Sequence, residues 1–377
     1  MNVARPTILT LRALNRATLA RQLLLARHAL KPVAAIERLA GLQAQVPRPP
    51  FVGLWTRLSS FARGDLVRAI ERRDVVRATL MRATIHMVSR ADYLAWRMPL
   101  QPMLTRTLRA QFAREIADID LPALLEAART CLETEPSTFA SLRSHLKERF
   151  PHVNERLMGY VVRMQLPLVL APSPAAEWAY PANAAFTIAE GWLDEAPSPE
   201  PSLAPLARRY LAAFGPATAR DFQTWSGASE ARDVFERLRD ELVALRTDDG
   251  RELFDLPRAP RPGADTEAPV RFLPEYDNLL LAYADRRRLI DPDHKKHLIT
   301  RNLMIPSAFL VDGVVAGLWR IEATRKDARL LISPFGAVDR QTKKALEAEG
   351  EALVAFVAPD TRAAVIIGAA PARAGVR

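Results

Sequence analysis

The sequence predicts an α+β protein made of three tandem winged helix-turn-helix domains and a C-terminal β-rich part. Three observations carry that reading. Helical runs closed by a short hairpin occur in the first third and recur twice, at a period of about ninety residues, too long for a solenoid. A Pro/Ser-rich stretch, APSPEPS at 196–202, separates the second round from the third. From Val270 the chain changes to short strand-like runs mixed with helix. The 377 residues exceed one ordinary core and suit two to four domains. The expected division is a winged-helix domain at 1–115, a second at 116–195, a third at 203–260, and a β-rich α+β domain at 268–377.

In the first round, 15–25 reads as a helix with Leu19, Leu23 and Leu24 on one face. The next helix, 32–42, has Ile36, Leu39 and Ala40 as its apolar positions. GLQAQVPRPP, at 41–50, then stops it. Pro47, Pro49 and Pro50 lack the N–H a helix needs and clash with the preceding turn. Gln43 and Gln45, one residue apart, are therefore expected at a helix C-terminus or just beyond it, where a short loop can hold both amides in one site. A third helix, 51–58, is entered through Pro49 and Pro50, and a fourth, 64–72, takes Asp65 as its cap. The β-branched runs 75–80 and 85–88, joined by the turn MRAT, make the hairpin. Arg68, Arg72, Arg73, Arg77 and Arg82 fall on or near the recognition helix and wing of this unit.

In the second round, 121–132, 138–150 and 154–165 read as helices, with 168–170 and an extended piece near 178–188 as the wing. The third begins with a helix at 203–214. FGPATARDFQTWSG, at 214–227, is a helix-turn-helix signature: Gly215–Pro216 starts the helix, Ala219 and Phe222 pack it, and Ser226–Gly227 ends it. A helix at 230–238 and a hairpin at 242–256, turned by Asp248-Asp249-Gly250, follow. In the last part, Asp312–Gly313 is the strongest hairpin signal of the chain, between strands 308–311 and 314–321. A strand at 328–332, an amphipathic helix at 339–356, a strand at 363–367 and a loose tail at 371–377 complete the expectation.

Hydrophobic residues make up 49% and charged residues 25%, the profile of a soluble globular protein. The lone cysteine, Cys131, excludes an intramolecular disulfide and a cysteine-based metal cluster and fits a reducing compartment. Arg5, Arg12, Arg16 and Arg21 interrupt any apolar signal core, and no segment has the length and apolarity of a membrane span, so a cytoplasmic, nucleoid-associated protein is expected. Residues 1–115 hold 20 Lys+Arg and 6 Asp+Glu, whereas the remainder holds 33 and 37. A basic first third on a near-neutral body is the footprint of a one-sided polyanion contact, with double-stranded DNA as the expected partner. Arginine-rich proteomes raise the count everywhere, but not so unevenly.

A Gln-x-Gln pair alone is weak evidence, because glutamine is common on solvated helix faces. The frame adds to it. GLQAQVPRPPFVGLW, followed by VVRATLMRATIHMVSRADY and later by FLPEYDNLLLAYADR, resembles the AlkZ-like bacterial DNA glycosylases of the winged-helix DNA-binding superfamily, over most of the chain and in the same order. The resemblance implies tandem winged helices, a β-rich C-terminal part, and removal of bulky or cross-linked N7-alkylguanine from DNA without a cofactor. Two branches of that family differ at the catalytic motif, Gln-x-Gln or Gln-x-Asp. This chain matches the first, which makes Gln43 and Gln45 the catalytic pair. His86, in ATIHMV, resembles the histidine of the family's arginine–threonine–histidine strand and so joins the candidates, although a histidine among apolar residues is more often a packed one. Arg48, Arg68, Arg72, Arg73, Arg77 and Arg82 are the expected DNA contacts of a monomer.

The chemistry is consistent with two amides. N7 alkylation already places a positive charge on the base, whose departure leaves an oxocarbenium-like sugar. The protein need only hold a water against C1′, and glutamine amides accept from water and donate to substrate without acting as strong bases. A lyase needs an activated amine, and the first third has one lysine, Lys31. His294 and His297 lack further ligands for a metal, and Asp277 and Asp285 are read as a structural turn as readily as a carboxylate pair. No Gly-rich phosphate loop is present. The alternatives are a non-catalytic winged-helix DNA-binding protein such as a transcriptional regulator, which base release distinguishes, and a protein-binding scaffold, which salt-dependent DNA affinity distinguishes.

Overall fold

The computed structural model describes residues 8–298 and 305–368, and over them the chain is α+β. The tail at 371–377 and Arg5 lie outside the described residues. The first round holds helices Leu11–Arg21, Pro32–Arg38, Pro49–Trp55 and Arg63–Glu71. Its sheet has Ile85–Ser89 in the middle, flanked by Val75–Thr79 and by the two-residue strand Leu42–Gln43. The second helix therefore ends at Arg38, and Gln43 lies five residues on, in a strand rather than at a helix end. Asp65 caps as expected in part: its carboxylate accepts from the Ala62 N–H at 2.9 Å.

Two helices, Arg90–Trp96 and Gln101–Ala117, have no counterpart in the sequence reading. The second was legible. Leu104, Leu108 and Phe112 recur at i, i+4 and are buried, and Pro102 sits in the first turn. In the next round, helices Leu121–Thr134, Phe139–Arg149 and Glu155–Gln165 start at side-chain caps from Asp120, Thr138 and Asn154. They close on the short pair Leu168–Leu170 and Phe186–Ile188, so the extended piece expected from Trp178 shrinks to three residues and Trp178 lies in the connecting loop.

The third round has helices Ala204–Phe214, Ala219–Ser226 and Ala231–Arg237 and the strands Val243–Thr247 and Glu252–Asp255. The middle helix starts at the Thr218–Asp221 capping box, not at Gly215–Pro216, and ends at left-handed Gly227 as expected. Ile8–Leu9 pairs in parallel with Val243–Thr247, so the start of the chain completes this sheet from far away in sequence. The last part is a five-stranded sheet in the order Arg362–Ile367, Asp327–Pro334, Val314–Ala323, Ala308–Val311, Arg271–Leu273, covered by helix Arg340–Val357. Its Asp312–Gly313 turn has positive φ at both residues. A Cβ on Gly313 would stand 2.4 Å from Leu19 Cδ1, because the turn is seated on the first helix.

One apolar core runs from Leu19 to Val315 across all of these rounds. Ion pairs, two of them fully buried, bind the basic first third to later segments. Arg21 forks onto Asp255 at 2.7 and 2.8 Å, Arg57 forks onto Asp277 at 2.9 and 2.8 Å, and Arg16 reaches Asp312. Arg27 meets Glu349 at 2.6 Å. Much of the excess positive charge is thus spent inside the molecule. Among the described residues no helix is long and apolar enough to cross a membrane.

Arg57 and Asp277 are each about 1% exposed at the side chain, so removing one charge strands the other in the interior. Asp277→Asn is expected to lower the unfolding free energy by about 3–5 kcal/mol in urea. Arg208→Ala, which breaks the exposed Arg208–Glu241 pair, is expected to change it by about 1 kcal/mol or less. Equal losses would contradict this account.

Candidate functional site

Ala40 and Gly41 both take left-handed backbone, and together they turn the chain from helix into strand. A Cβ on Gly41 would lie 2.7 Å from Val88 Cγ1, so the position needs glycine for space as well as for φ. The Asn278 side chain donates to the Gly41 carbonyl at 2.8 Å and fixes the entry to the motif. Leu42 and Gln43 then pair with Met87 and His86, and the Ala44 N–H donates to the Ile85 carbonyl at 2.8 Å. The strand ends at Gln43, Ala44 is buried in the core, and Gln45 follows in a bend. Gln43 is recessed, at 7% exposure, and Gln45 stands exposed.

Two arginines of the adjoining hairpin hold this motif. Arg77 donates from Nε to the Ala44 carbonyl at 2.8 Å and from a terminal nitrogen to the Gln45 carbonyl at 3.0 Å, with its plane over the Tyr180 ring. Arg82 donates to Gln43 Oε1 at 2.7 Å and to the Trp225 carbonyl. A guanidinium can only donate, so the Gln43 amide must present its oxygen to Arg82. Its nitrogen has no hydrogen-bond partner among the described residues. Burial holds the Arg77 and Arg82 guanidiniums down to about 10, and the charge of Arg286 adds to this for Arg82.

His86 is fully buried in the middle strand, between Gln43 and Ala78. Burial first, then the Arg82 charge, push its imidazole down to about 3, so it is neutral at physiological pH. Its Nδ1 lies 3.1 Å from the Thr84 carbonyl and Nε2 lies 3.4 Å from Arg82. A neutral ring with Nδ1–H on the carbonyl leaves Nε2 as acceptor for the guanidinium. His86 thus backs Arg82 and is not positioned as an exposed acid or base.

The structure separates the arginines expected at a DNA surface. Arg77 is 2% exposed and turned inward, because its strand is covered on both faces and the Ala44 and Gln45 carbonyls need donors. Arg82 is part-buried and turned toward Gln43 and the Trp225 carbonyl. The placement of Arg77 corrects the sequence expectation. Arg73 stacks on Trp192 and donates to its carbonyl at 2.7 Å. Arg68 and Arg72 are exposed and pair with Asp65 and Asp74. Arg48 is half-buried in the wall of a cleft of about 490 Å³ that begins directly after Gln45. Val46, Pro47 and Pro49 form that wall, and Trp178, Tyr180, Glu177 and Glu275 line the cleft with them. A narrower recess shares Gln43 and Glu275. Glu275, Trp178 and Tyr180 are site-lining residues that the sequence reading did not single out; FLPEYDN carried the first of them, within the quoted family stretch.

Other expected candidates have structural partners. Asp277 belongs to Arg57, and Asp285 is held down to about 2, mainly by the Arg287 guanidinium. His294 and His297 each lie 4.8 Å from the Phe335 ring, and the described residues contain no group of three His, Cys, Asp or Glu side chains placed to hold a metal ion.

Comparison with known proteins places these features. Residues 36–356 match the family model described as "DNA glycosylase AlkZ-like". A curated relative, the interstrand DNA cross-link repair glycosylase of Streptomyces sahachiroi, is 26% identical over 343 residues, 83% of this chain and 87% of its own length. The solved structure of Streptomyces sahachiroi DNA glycosylase AlkZ superposes with a TM-score of 0.79 at 22% identity, covering 96% of this chain and all of the other.

The burial of His86 fixes a pH dependence. The folded ring stays neutral down to about pH 3, whereas an unfolded one takes a proton near 6.5. The folded state therefore keeps this contribution above pH 6.5 and loses it as pH falls toward 3. His86→Gln is expected to shrink the stability difference between pH 7 and pH 5 by about 2 kcal/mol relative to the parent, measured by urea unfolding at both pH values. Parallel pH profiles would show that His86 accepts its proton in the folded state.

Proposed function

The chain belongs to the AlkZ-like DNA glycosylase family, and on that premise we propose that it is a monofunctional DNA glycosylase hydrolysing the N-glycosidic bond of N7-alkylated guanine, bulky adducts and interstrand cross-links included. The observation that carries this reading is the pair of glutamines one residue apart in the chain, Gln43 recessed and fixed by Arg82 and Gln45 exposed, with the wall of the cleft, Val46 to Pro49, following directly in sequence. With Oε1 engaged, Gln43 offers its N–H groups to the sugar or to the attacking water. Gln45 offers its side-chain Oε1, whose only partner among the described residues is the Ile85 N–H at 3.4 Å, a long contact that leaves this oxygen able to accept from water. An alkylated base leaves with its positive charge neutralised, so orienting a water is the main task of the site. Glu177 and Glu275 supply negative charge beside a cationic lesion. No lysine lines the cleft or the recess, which favours hydrolysis over lyase chemistry.

The same proposal takes the three rounds of helices and hairpin as tandem winged helices at 1–115, 116–195 and 203–260, with a β-rich part at 268–377. It places a monomer on double-stranded DNA in the cytoplasm, in general repair or in self-resistance to a genotoxin. Arg68 and Arg72 are exposed and Arg48, Arg73 and Arg82 part-exposed, which leaves these five able to meet phosphates.

Gln43→Ala and Gln45→Ala are expected to bind lesion-bearing duplex nearly as tightly as the parent, while base release falls roughly ten- to a thousandfold. Gln45→Asp, which recreates the other branch's motif, is expected to remain active. The assay is single-turnover release from duplex carrying N7-methylguanine or a bulky N7 adduct, developed by alkali. Parental rates in both alanine variants would remove the motif from catalysis. A parent that releases no base from any N7 adduct would leave a DNA-binding protein.

A further inference from the structure

Arg77, buried, and Arg82, part-buried, join Arg97 and Arg288 among the inward-turned arginines that satisfy carbonyls or other neutral groups rather than a carboxylate among the described residues. Arg16, Arg21 and Arg57 are each matched by an aspartate, whereas neither Arg77 nor Arg82 has a carboxylate partner among the described residues. Burying an unpaired cation is costly, and such a group is retained where its donors do something an apolar residue cannot. Here every donor contact of Arg82 leads to the motif or to what surrounds it. One terminal nitrogen serves both Gln43 Oε1 and His86 Nε2, and the other reaches the Trp225 carbonyl at the end of helix Ala219–Ser226.

The backbone supports the same arrangement. Arg82 and Ala83 both have left-handed φ, which folds the hairpin tip back so that the Arg82 side chain runs along the sheet toward Gln43. Gly227 faces this tip: a Cβ there would lie 3.3 Å from Arg82 Cα and N. Arg106 donates to the Gly227 carbonyl at 2.6 Å from the other side. The end of helix Ala219–Ser226 is therefore seated on the tip, and Arg82 links that seat to the recessed glutamine. Arg77 plays the matching part for the motif's other half, through the Ala44 and Gln45 carbonyls.

We propose that Arg82 is a positioning residue for base release. It fixes the Gln43 amide in the orientation that presents N–H groups to the substrate, and it makes that orientation depend on the seating of the 219–227 segment against the hairpin. Arg77 holds the backbone of Gln45 in register with it. Neither acts by contacting phosphate. The part that concerns catalysis rests on the glycosylase reading above; the orientation of the amide does not.

The test is a double-mutant cycle between Arg82→Met and Gln43→Ala. Arg82→Met is expected to slow single-turnover base release by roughly ten- to a hundredfold. Its affinity for undamaged duplex and the slope of that affinity against salt should stay within about twofold of the parent, since no phosphate contact is lost. In the Gln43→Ala background, Arg82→Met should add less than about a twofold further loss. Fully additive losses would assign Arg82 a general structural role and overturn the proposal. So would a salt slope lowered by about one, the mark of a lost phosphate contact. If Arg82→Met does not fold, Arg82→Lys enters the same cycle: its single nitrogen lacks the planar fork that places two separate nitrogens on Gln43 Oε1 and the Trp225 carbonyl, so a loss is again expected. A second readout is independent of activity. The Gln43 side-chain NH₂ resonances, identified by their absence in Gln43→Ala, should shift and exchange faster with water in Arg82→Met. Unchanged resonances refute the positioning role even if the parent releases base, and shifted ones support it even if the parent releases none.

Discussion

The buried fork between Arg57 and Asp277 is the interaction on which the site depends. Arg57, just after helix Pro49–Trp55, also donates to the Gln22 carbonyl at 3.0 Å and to Gly53 at 2.9 Å, so one guanidinium gathers three separate stretches. Asp277 in turn accepts from the Leu279 N–H and starts the short turn Asn278–Leu281. That turn puts Asn278 under Gly41, where the chain bends into the motif. The position of Gln43 is thus set by a residue more than two hundred positions away, through a pair whose separation would leave a charge without water or partner.

Arginine has several functions in the first third, and charge count alone cannot separate them. Some arginines neutralise aspartates of later segments and lock the start of the chain to its end. Arg77 and Arg82 satisfy carbonyls instead, where planar forks reach two acceptors at once. Only the remainder is left to face a polyanion. The lopsided charge therefore reports, in part, a body whose acidic residues receive much of that charge internally.

The hairpins were legible because their turns are local: MRAT between β-branched runs, Asp248-Asp249-Gly250, and Asp312–Gly313 with both residues left-handed. The helix caps at Asp120, Thr138 and Asn154 act over two or three residues and fixed their helix starts closely. What escaped was non-local. A two-residue strand such as Leu42–Gln43 has no period to detect and exists because His86 and Met87 pair with it. The pairing of Ile8–Leu9 with Val243–Thr247 has no local sign at all. At the site, the two glutamines stood out by their proline frame, but the inward turn of Arg77 and Arg82 did not. An arginine in a β-branched strand reads as exposed until the carbonyls it must satisfy are known. His86 is the converse: the family resemblance put it among the catalytic candidates although its apolar neighbours suit a packed residue, and in the structure it is buried and neutral.

The chemistry that follows is modest by design. On the proposed reading, a pair of amides is neither a strong acid nor a strong base, so it would suit a base already primed to leave and would spare normal guanine. The most direct test of that claim is the mass of the products. A duplex with one N7-alkylguanine is held with excess protein for a single turnover, with borohydride present, beside a protein-free control that measures spontaneous loss. The account predicts free alkylated base formed faster than in the control, an unbroken strand carrying an abasic sugar, and no protein–DNA adduct. Base release no faster than the control while the duplex is bound would contradict it, as would a borohydride-trapped covalent complex.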